Sequence, residues 1–65
     1  MDAEKLELIG IRLRLLDLVA PYEITVKQLL PFSDECLAIL QIPLQEREKA
    51  LYELVNKIRK YYKVG

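Results

Sequence analysis

Few residues in this chain of 65 amino acids could carry out acid–base or nucleophilic catalysis. The sequence contains no histidine, the side chain whose charge changes most readily near neutral pH. Cys36 is the only cysteine, so it has neither a histidine to activate it nor a second thiol for an intrachain disulfide. A free cysteine on an apolar helix face is commonly a small buried side chain. We therefore expect no enzymatic activity and no catalytic residue.

Metal and cofactor sites also lack the residues they require. The acidic pairs Asp34–Glu35 and Glu46–Glu48 stand at predicted helix starts, where they complement the positive end of the helix dipole. With Gly10 and Gly65 as the only glycines, no glycine-rich phosphate loop can form. We expect neither a bound metal nor a cofactor.

Nucleic-acid binding has two features in its favour. The C-terminal segment interleaves tyrosines with four cations that could contact phosphates, Lys57, Arg59, Lys60 and Lys63. The two short helices expected at 25–30 and 33–41 have the layout of a helix-turn-helix. However, Asp34 and Glu35 would open the recognition helix, and ten acidic residues balance ten basic ones. Nucleic-acid binding is therefore the alternative function.

Hydropathy and charge argue against a membrane protein. No apolar run approaches the roughly 20 residues of a membrane span. The richest stretch, 6–19, is interrupted by charged side chains, Glu7, Arg12, Arg14 and Asp17. Asp2 and Glu4 stand where a signal peptide would be basic. We expect a single cytoplasmic domain over residues 1–65.

Three prolines divide the chain into segments. The first segment, 2–19, predicts a helix with Asp2 as N-cap and Pro21 as terminator. Its apolar residues surround most of the helix, and four form one stripe, Leu6, Ile9, Leu13 and Leu16. A strand is the alternative, because apolar residues alternate from Ile9 to Leu15, but Leu, Glu and Arg favour helix.

The middle of the chain predicts two short helices. Thr25 and Gln28 have the spacing of a capping box, and Pro31 ends the first helix. Ser33 is the predicted N-cap of the next helix, which extends to Gln41. Its apolar face combines Leu37 and Leu40 with either Cys36 or Ile39.

The last helix is predicted from Pro43 to about Tyr62, and helices three and four could instead be one helix kinked at Pro43. Its apolar stripe comprises Leu44, Leu51, Val55, Ile58 and Tyr62, with Leu54 and Tyr61 beside it. Glu53 and Lys57 are spaced for an ion pair along the helix.

The fold class predicted is all-α: a small bundle of three to four helices, long at both ends of the chain, completed by dimerisation. A first helix this apolar expects contacts on several sides, more than one small chain supplies. The predicted interface comprises Leu6, Ile9, Leu13, Leu16, Tyr61 and Tyr62. The predicted function is a small non-enzymatic protein-interaction module, an adaptor, regulator or assembly subunit, that pairs with itself or with another protein. No motif in the sequence identifies a family.

Overall fold

A computed structural model describes residues 2–65 and confirms the all-α prediction. Within this range there is no strand, and three helices have eight or more residues, the first and last being long. A fourth helix, of a single turn, lies between the first and second of these three helices. The four helices in chain order are α1 (Ala3–Val19), α2 (Val26–Leu29), α3 (Ser33–Leu40) and α4 (Leu44–Tyr62).

Helix α1 begins and ends where its sequence signals stand. The Asp2 side chain accepts a hydrogen bond from the Glu4 backbone N–H at 3.0 Å, which satisfies one of the free donors of the first turn. After Val19 the chain tightens into a 3-10 turn, Ala20–Tyr22, that contains Pro21. Glu23 then adopts a left-handed conformation, with φ of 60°, that turns the chain toward α2. The strand alternative for this segment is therefore wrong.

Helix α2 is only one turn long. The Gln28 side-chain oxygen accepts a hydrogen bond from the Thr25 N–H at 2.9 Å, as the capping box predicts. A second 3-10 turn, Leu30–Phe32, leads directly into α3. Ser33 was predicted as the α3 N-cap, which is wrong: it lies inside the first turn, and its hydroxyl donates to the Leu30 carbonyl at 2.9 Å.

Helices α3 and α4 are separate helices rather than one kinked helix. Pro43 is extended, with ψ of 143°, and stands just before α4 instead of at its first helical position. Arg47 reaches back from α4 across this break. Its Nη2 donates to the Leu40 carbonyl at 2.9 Å, and its Nε donates to the Ile42 carbonyl at 3.3 Å. A single guanidinium thereby satisfies carbonyls left free at the end of α3.

One cluster of buried side chains joins the three longer helices. Its members come from α1, α3, α4 and the connections, namely Ile11, Leu15, Val19, Ile24, Phe32, Cys36, Ile39, Leu40, Leu51, Leu54, Val55 and Ile58. Two predicted core positions are wrong. Leu37 is exposed because α3 turns Cys36, Ile39 and Leu40 inward. Leu44 is 75% exposed, and Leu51 is the first buried residue of α4.

One predicted ion pair is replaced by another. Lys57 Nζ lies 3.3 Å from a carboxylate oxygen of Glu35 on α3, rather than pairing with Glu53 on its own helix. The pair links α3 to α4, so the packing of these two helices determines which carboxylate Lys57 meets.

None of the helices formed by residues 2–65 is both long enough and apolar enough to cross a membrane.

Candidate protein-interaction surface

Helix α1 presents apolar side chains on two opposite sides. One side is buried against α3 and α4 through Ile11, Leu15 and Val19. At about 100° per residue, Leu6, Ile9 and Leu13 lie on the other side of the helix, and these side chains are 52%, 49% and 58% exposed. We call these three residues together with half-buried Leu16 the α1 stripe. The structure thus leaves uncovered most of the stripe that the sequence predicted as an interface.

The α1 stripe continues into a groove beside α2. This α1–α2 groove has a volume of about 170 Å³ and a mainly apolar lining. Leu13 and Leu16 form its α1 side, while Val26, Leu29 and Leu30 form its α2 side. Val26 on α2 and Leu30 in the 3-10 turn that follows are 60% and 63% exposed, so the apolar surface extends beyond α1. The sequence does not predict Val26 and Leu30 as surface residues, because a one-turn helix and the short turn after it have no periodicity that indicates an exposed face.

Three polar or ionisable side chains also line the groove: Arg12, Ser33 and Cys36. Cys36 is buried, and this burial raises the pKa of its thiol, while the positive charge of Arg12 acts in the opposite direction. A neutral, buried thiol is a poor nucleophile. The site therefore offers an apolar contact surface with one cation at its edge rather than a reactive group.

Charged side chains bind α1 to α4 on the side away from the groove. The Arg14 guanidinium lies 2.6 Å from a Glu48 carboxylate oxygen, and this hydrogen bond and charge raise the pKa of Arg14. Arg47 lies 3.7 Å from a carboxylate oxygen of Glu7. Both pairs involve exposed carboxylates, so they orient the helices more than they stabilise them.

Tyr61 and Tyr62, the other predicted interface residues, lie at the end of α4 and pack on each other edge to face, with ring centroids 4.8 Å apart. Tyr61 also meets the Phe32 ring at 5.4 Å and remains exposed. Tyr62 is half-buried and donates a hydrogen bond to the Gln28 carbonyl. Of the residues described, neither tyrosine lines the α1–α2 groove. The structure therefore divides the predicted interface between two places.

The four cations of the nucleic-acid alternative do not form one free row. Lys57 is paired with Glu35, and Arg59 lies over the Tyr22 ring at 4.4 Å from its centroid. Arg59 also donates to the Gly65 carbonyl at 2.9 Å. Lys60 and Lys63 are exposed. Two of the four cations are thus engaged within the chain.

Metal-ligand geometry and similarity to known proteins give no further indication of a functional site. Across residues 2–65, no group of histidine, cysteine, aspartate and glutamate side chains is arranged to hold a metal ion. No protein-family model, curated protein or solved structure matches this chain.

Proposed function

We propose that this chain is a small non-enzymatic protein-interaction module, an adaptor, regulator or assembly subunit, that binds another helix through the α1 stripe. The observation that carries this proposal is the row of half-exposed Leu6, Ile9 and Leu13 on the side of α1 that faces away from the core. A row of aliphatic side chains loses contact with water when a second helix packs on it. Its continuity with the α1–α2 groove enlarges the surface that a partner would cover.

A homodimer is the simplest such assembly, because closed two-fold dimers are the commonest homo-oligomers. A 65-residue chain has a small core, and its single cysteine rules out an intrachain disulfide as an added source of stability. Burying the α1 stripe on a second chain would add the apolar burial that the core lacks. The unpaired Cys36 also suits the reducing cytoplasm, where we place the assembly.

A role without catalysis is supported by the residues present. The chain has no histidine. Its one thiol is buried and has a raised pKa. The uncovered surface is aliphatic, which suits contact with a partner rather than proton or group transfer.

Dilution of the purified chain tests this proposal. We expect light scattering after size exclusion to give a molecular mass that falls from that of a dimer toward that of a monomer as the concentration is lowered. Leu13→Asp should abolish the dimer while circular dichroism keeps its helical signal, because Leu13 is outside the core. Leu44→Asp is the matched control, since Leu44 is equally aliphatic and even more exposed but lies on α4. A wild-type chain that stays monomeric at millimolar concentration would overturn the homodimer.

Nucleic-acid binding is the second candidate function, and the exposed Lys60 and Lys63 favour it. Such binding weakens steeply as salt increases. Retention on heparin at low salt that is lost in the Lys60→Gln/Lys63→Gln variant would support this function. Lys5→Gln/Lys49→Gln is the control with equal charge loss elsewhere. We expect both variants and the wild type to elute together.

A further inference from the structure

The α1 stripe has the spacing of a heptad seam. Its members are separated by three, four and three residues, which assigns Leu6 and Leu13 to position a and Ile9 and Leu16 to position d. Two helices that carry such a seam pack side by side along it. In the single chain, α1 is already helical because it packs on the core. Association therefore does not have to offset the free-energy cost of forming the helix.

The two edges of the seam carry different charges. Lys5 and Arg12 fall at position g on one edge, while Gly10 and Asp17 fall at position e on the other. Arg12 and Asp17 are both exposed. Neither lies within ion-pair distance of an opposite charge in the part of the chain that the structure describes. Among the described residues, the seam is thus bordered by two cations without an ion-pair partner, Lys5 and Arg12, on one edge and by one such anion, Asp17, on the other.

We propose that the partner of the α1 stripe is a second copy of this chain, with the two α1 helices parallel. This inference rests on the proposed function and adds the orientation of the partner. In a parallel pair, a residue at g faces the partner's residue at e five positions further along. Arg12 of each chain then faces Asp17 of the other, and two-fold symmetry makes this contact twice.

The antiparallel arrangement is disfavoured by the same charges. It sets each edge against the same edge of the other chain, so the basic edge of Lys5 and Arg12 meets its own copy. Like charges at these positions select against a pairing, just as opposite charges select for it. The charge pattern therefore discriminates between the two orientations of a homodimer.

The α1–α2 groove gives the second chain more surface than the seam alone. It lies on the Arg12 side of α1, and exposed Val26 and Leu30 stand at its α2 side. In the parallel pair this edge faces the partner's e edge, which carries Gly10 and Asp17. The partner helix can approach closely there, because a side-chain atom at Gly10 would meet nothing within 4 Å in its own chain.

Charge reversal tests the pairing of Arg12 with Asp17. Arg12→Asp and Asp17→Arg should each raise the dimer dissociation constant about tenfold in low salt, because each change replaces two attractive contacts with two repulsive ones. The double variant Arg12→Asp/Asp17→Arg should recover most of the wild-type affinity. Sedimentation equilibrium measures all four constants. Lys49→Asp/Asp34→Arg is the control on α4 and α3, and it should leave the constant unchanged.

Cysteine cross-linking tests the orientation independently. In a Cys36→Ala background, Leu6→Cys and Leu13→Cys should each form an intermolecular disulfide, because a parallel two-fold pair sets every seam residue beside its own copy. An antiparallel pair has one crossing point along the helix. Residues 6 and 13 are about 10 Å apart along α1, at about 1.5 Å per residue, so at most one of them could then meet its copy within disulfide reach.

The outcomes separate this inference from the proposed function. A dimer that Leu13→Asp abolishes, but that charge reversal leaves unchanged or that cross-links at one position only, overturns the parallel pairing and keeps the interaction surface. A wild-type monomer at every concentration overturns both. Rescue by the double variant together with cross-linking at both positions supports the parallel dimer.

Discussion

The hydroxyl of Tyr62 donates a hydrogen bond to the backbone carbonyl of Gln28, which ties the last turn of α4 to the single-turn helix α2. A one-turn helix has no other helical turn to support it, and its last carbonyls lack partners within the helix. The Tyr62 hydroxyl satisfies one of them. The bond thus holds α2 in place, and α2 supplies one side of the α1–α2 groove.

Tyr62→Phe should lower the free energy of unfolding by about 0.5–1.5 kcal/mol, because it removes this bond and keeps the ring. Tyr61→Phe is the control: the Tyr61 hydroxyl bonds to no other residue in 2–65, so its loss should change little. Urea unfolding followed by circular dichroism measures both. Equal effects of the two substitutions would contradict a specific role for the Tyr62 hydroxyl.

Arg47→Met should destabilise the chain by about 1–3 kcal/mol, since it removes a charged donor shared by two carbonyls at the α3–α4 break. Methionine keeps much of the apolar stem. Arg14→Met removes an exposed ion pair instead and should have a much smaller effect. Chemical unfolding in low and high salt compares them. An Arg14 effect as large as that of Arg47 would show that the carbonyl contacts contribute little.

The two sides of α1 should respond differently to truncation. Leu15→Ala should cost about 2–5 kcal/mol, because Leu15 is fully buried and its loss leaves a cavity. Leu13→Ala should leave the stability of the monomer nearly unchanged and weaken self-association instead. Unfolding is measured at a concentration low enough for the chain to be monomeric. Comparable losses at the two positions would mean that Leu13 also contributes to the core.

The Cys36 thiol should react slowly with a thiol reagent in the folded chain and quickly in denaturant, because it is buried. Its raised pKa also links stability to pH. The folded state holds the thiol proton more tightly than the unfolded state does, and this difference contributes to the free energy of unfolding. The contribution is fully present below the pKa of the unfolded thiol, about 8.5. It is lost as the pH rises through the pKa of the folded thiol.

Cys36→Ala isolates that contribution. The variant retains every tyrosine and lysine, so these groups titrate in both proteins. We expect the stability of the wild type to fall more between pH 8 and 10 than that of Cys36→Ala, measured by urea unfolding at each pH. Parallel curves would contradict the linkage.

Gly10→Ala should raise the stability of the chain by about 0.5–1 kcal/mol, because alanine favours helix and its Cβ would meet nothing within 4 Å. Gly65→Ala is the contrasting substitution. Gly65 has φ of 81°, and a Cβ there would lie 2.5 Å from the Arg59 Nε, so no gain is expected. Thermal unfolding compares the two. A lower melting temperature for Gly10→Ala would contradict this account.

The helical elements were predictable because each has a local signal. Asp2 caps α1, Thr25 and Gln28 form a capping box, and Pro21 interrupts the helix at its expected place. These interactions join residues within four positions of one another. Such short-range signals act in the same way whatever the rest of the chain does.

Contacts between helices were less predictable. Leu44 satisfies the apolar period of α4, yet its side chain is exposed, and the buried residues of α4 begin only at Leu51. Lys57 pairs with Glu35, 22 positions away, rather than with Glu53 at the expected helical spacing. Arg47 at the α3–α4 break was also missed, because its carbonyl partners come together only once the two helices have folded. Neighbours across the fold decide these features.

The candidate surface was predicted in part. The excess of apolar residues on α1 predicts a contact surface at Leu6, Ile9, Leu13 and Leu16, and three of these four residues are exposed. Val26 and Leu30 were not predictable, because α2 is one turn long and Leu30 lies in the short 3-10 turn after it. The local sequence thus reveals that α1 has more apolar residues than it can bury, but not which neighbouring side chains extend the surface.

The two opposite sides of α1 contribute to different properties: one side stabilises the fold, and the other forms the proposed interaction surface. Ile11, Leu15 and Val19 hold the fold, whereas Leu6, Ile9 and Leu13 point away from it. In the proposed assembly, substitutions on the outward side would therefore change affinity or choice of partner while the architecture of the single chain persists. Such a division would let related chains diverge in what they assemble with and still retain one common scaffold.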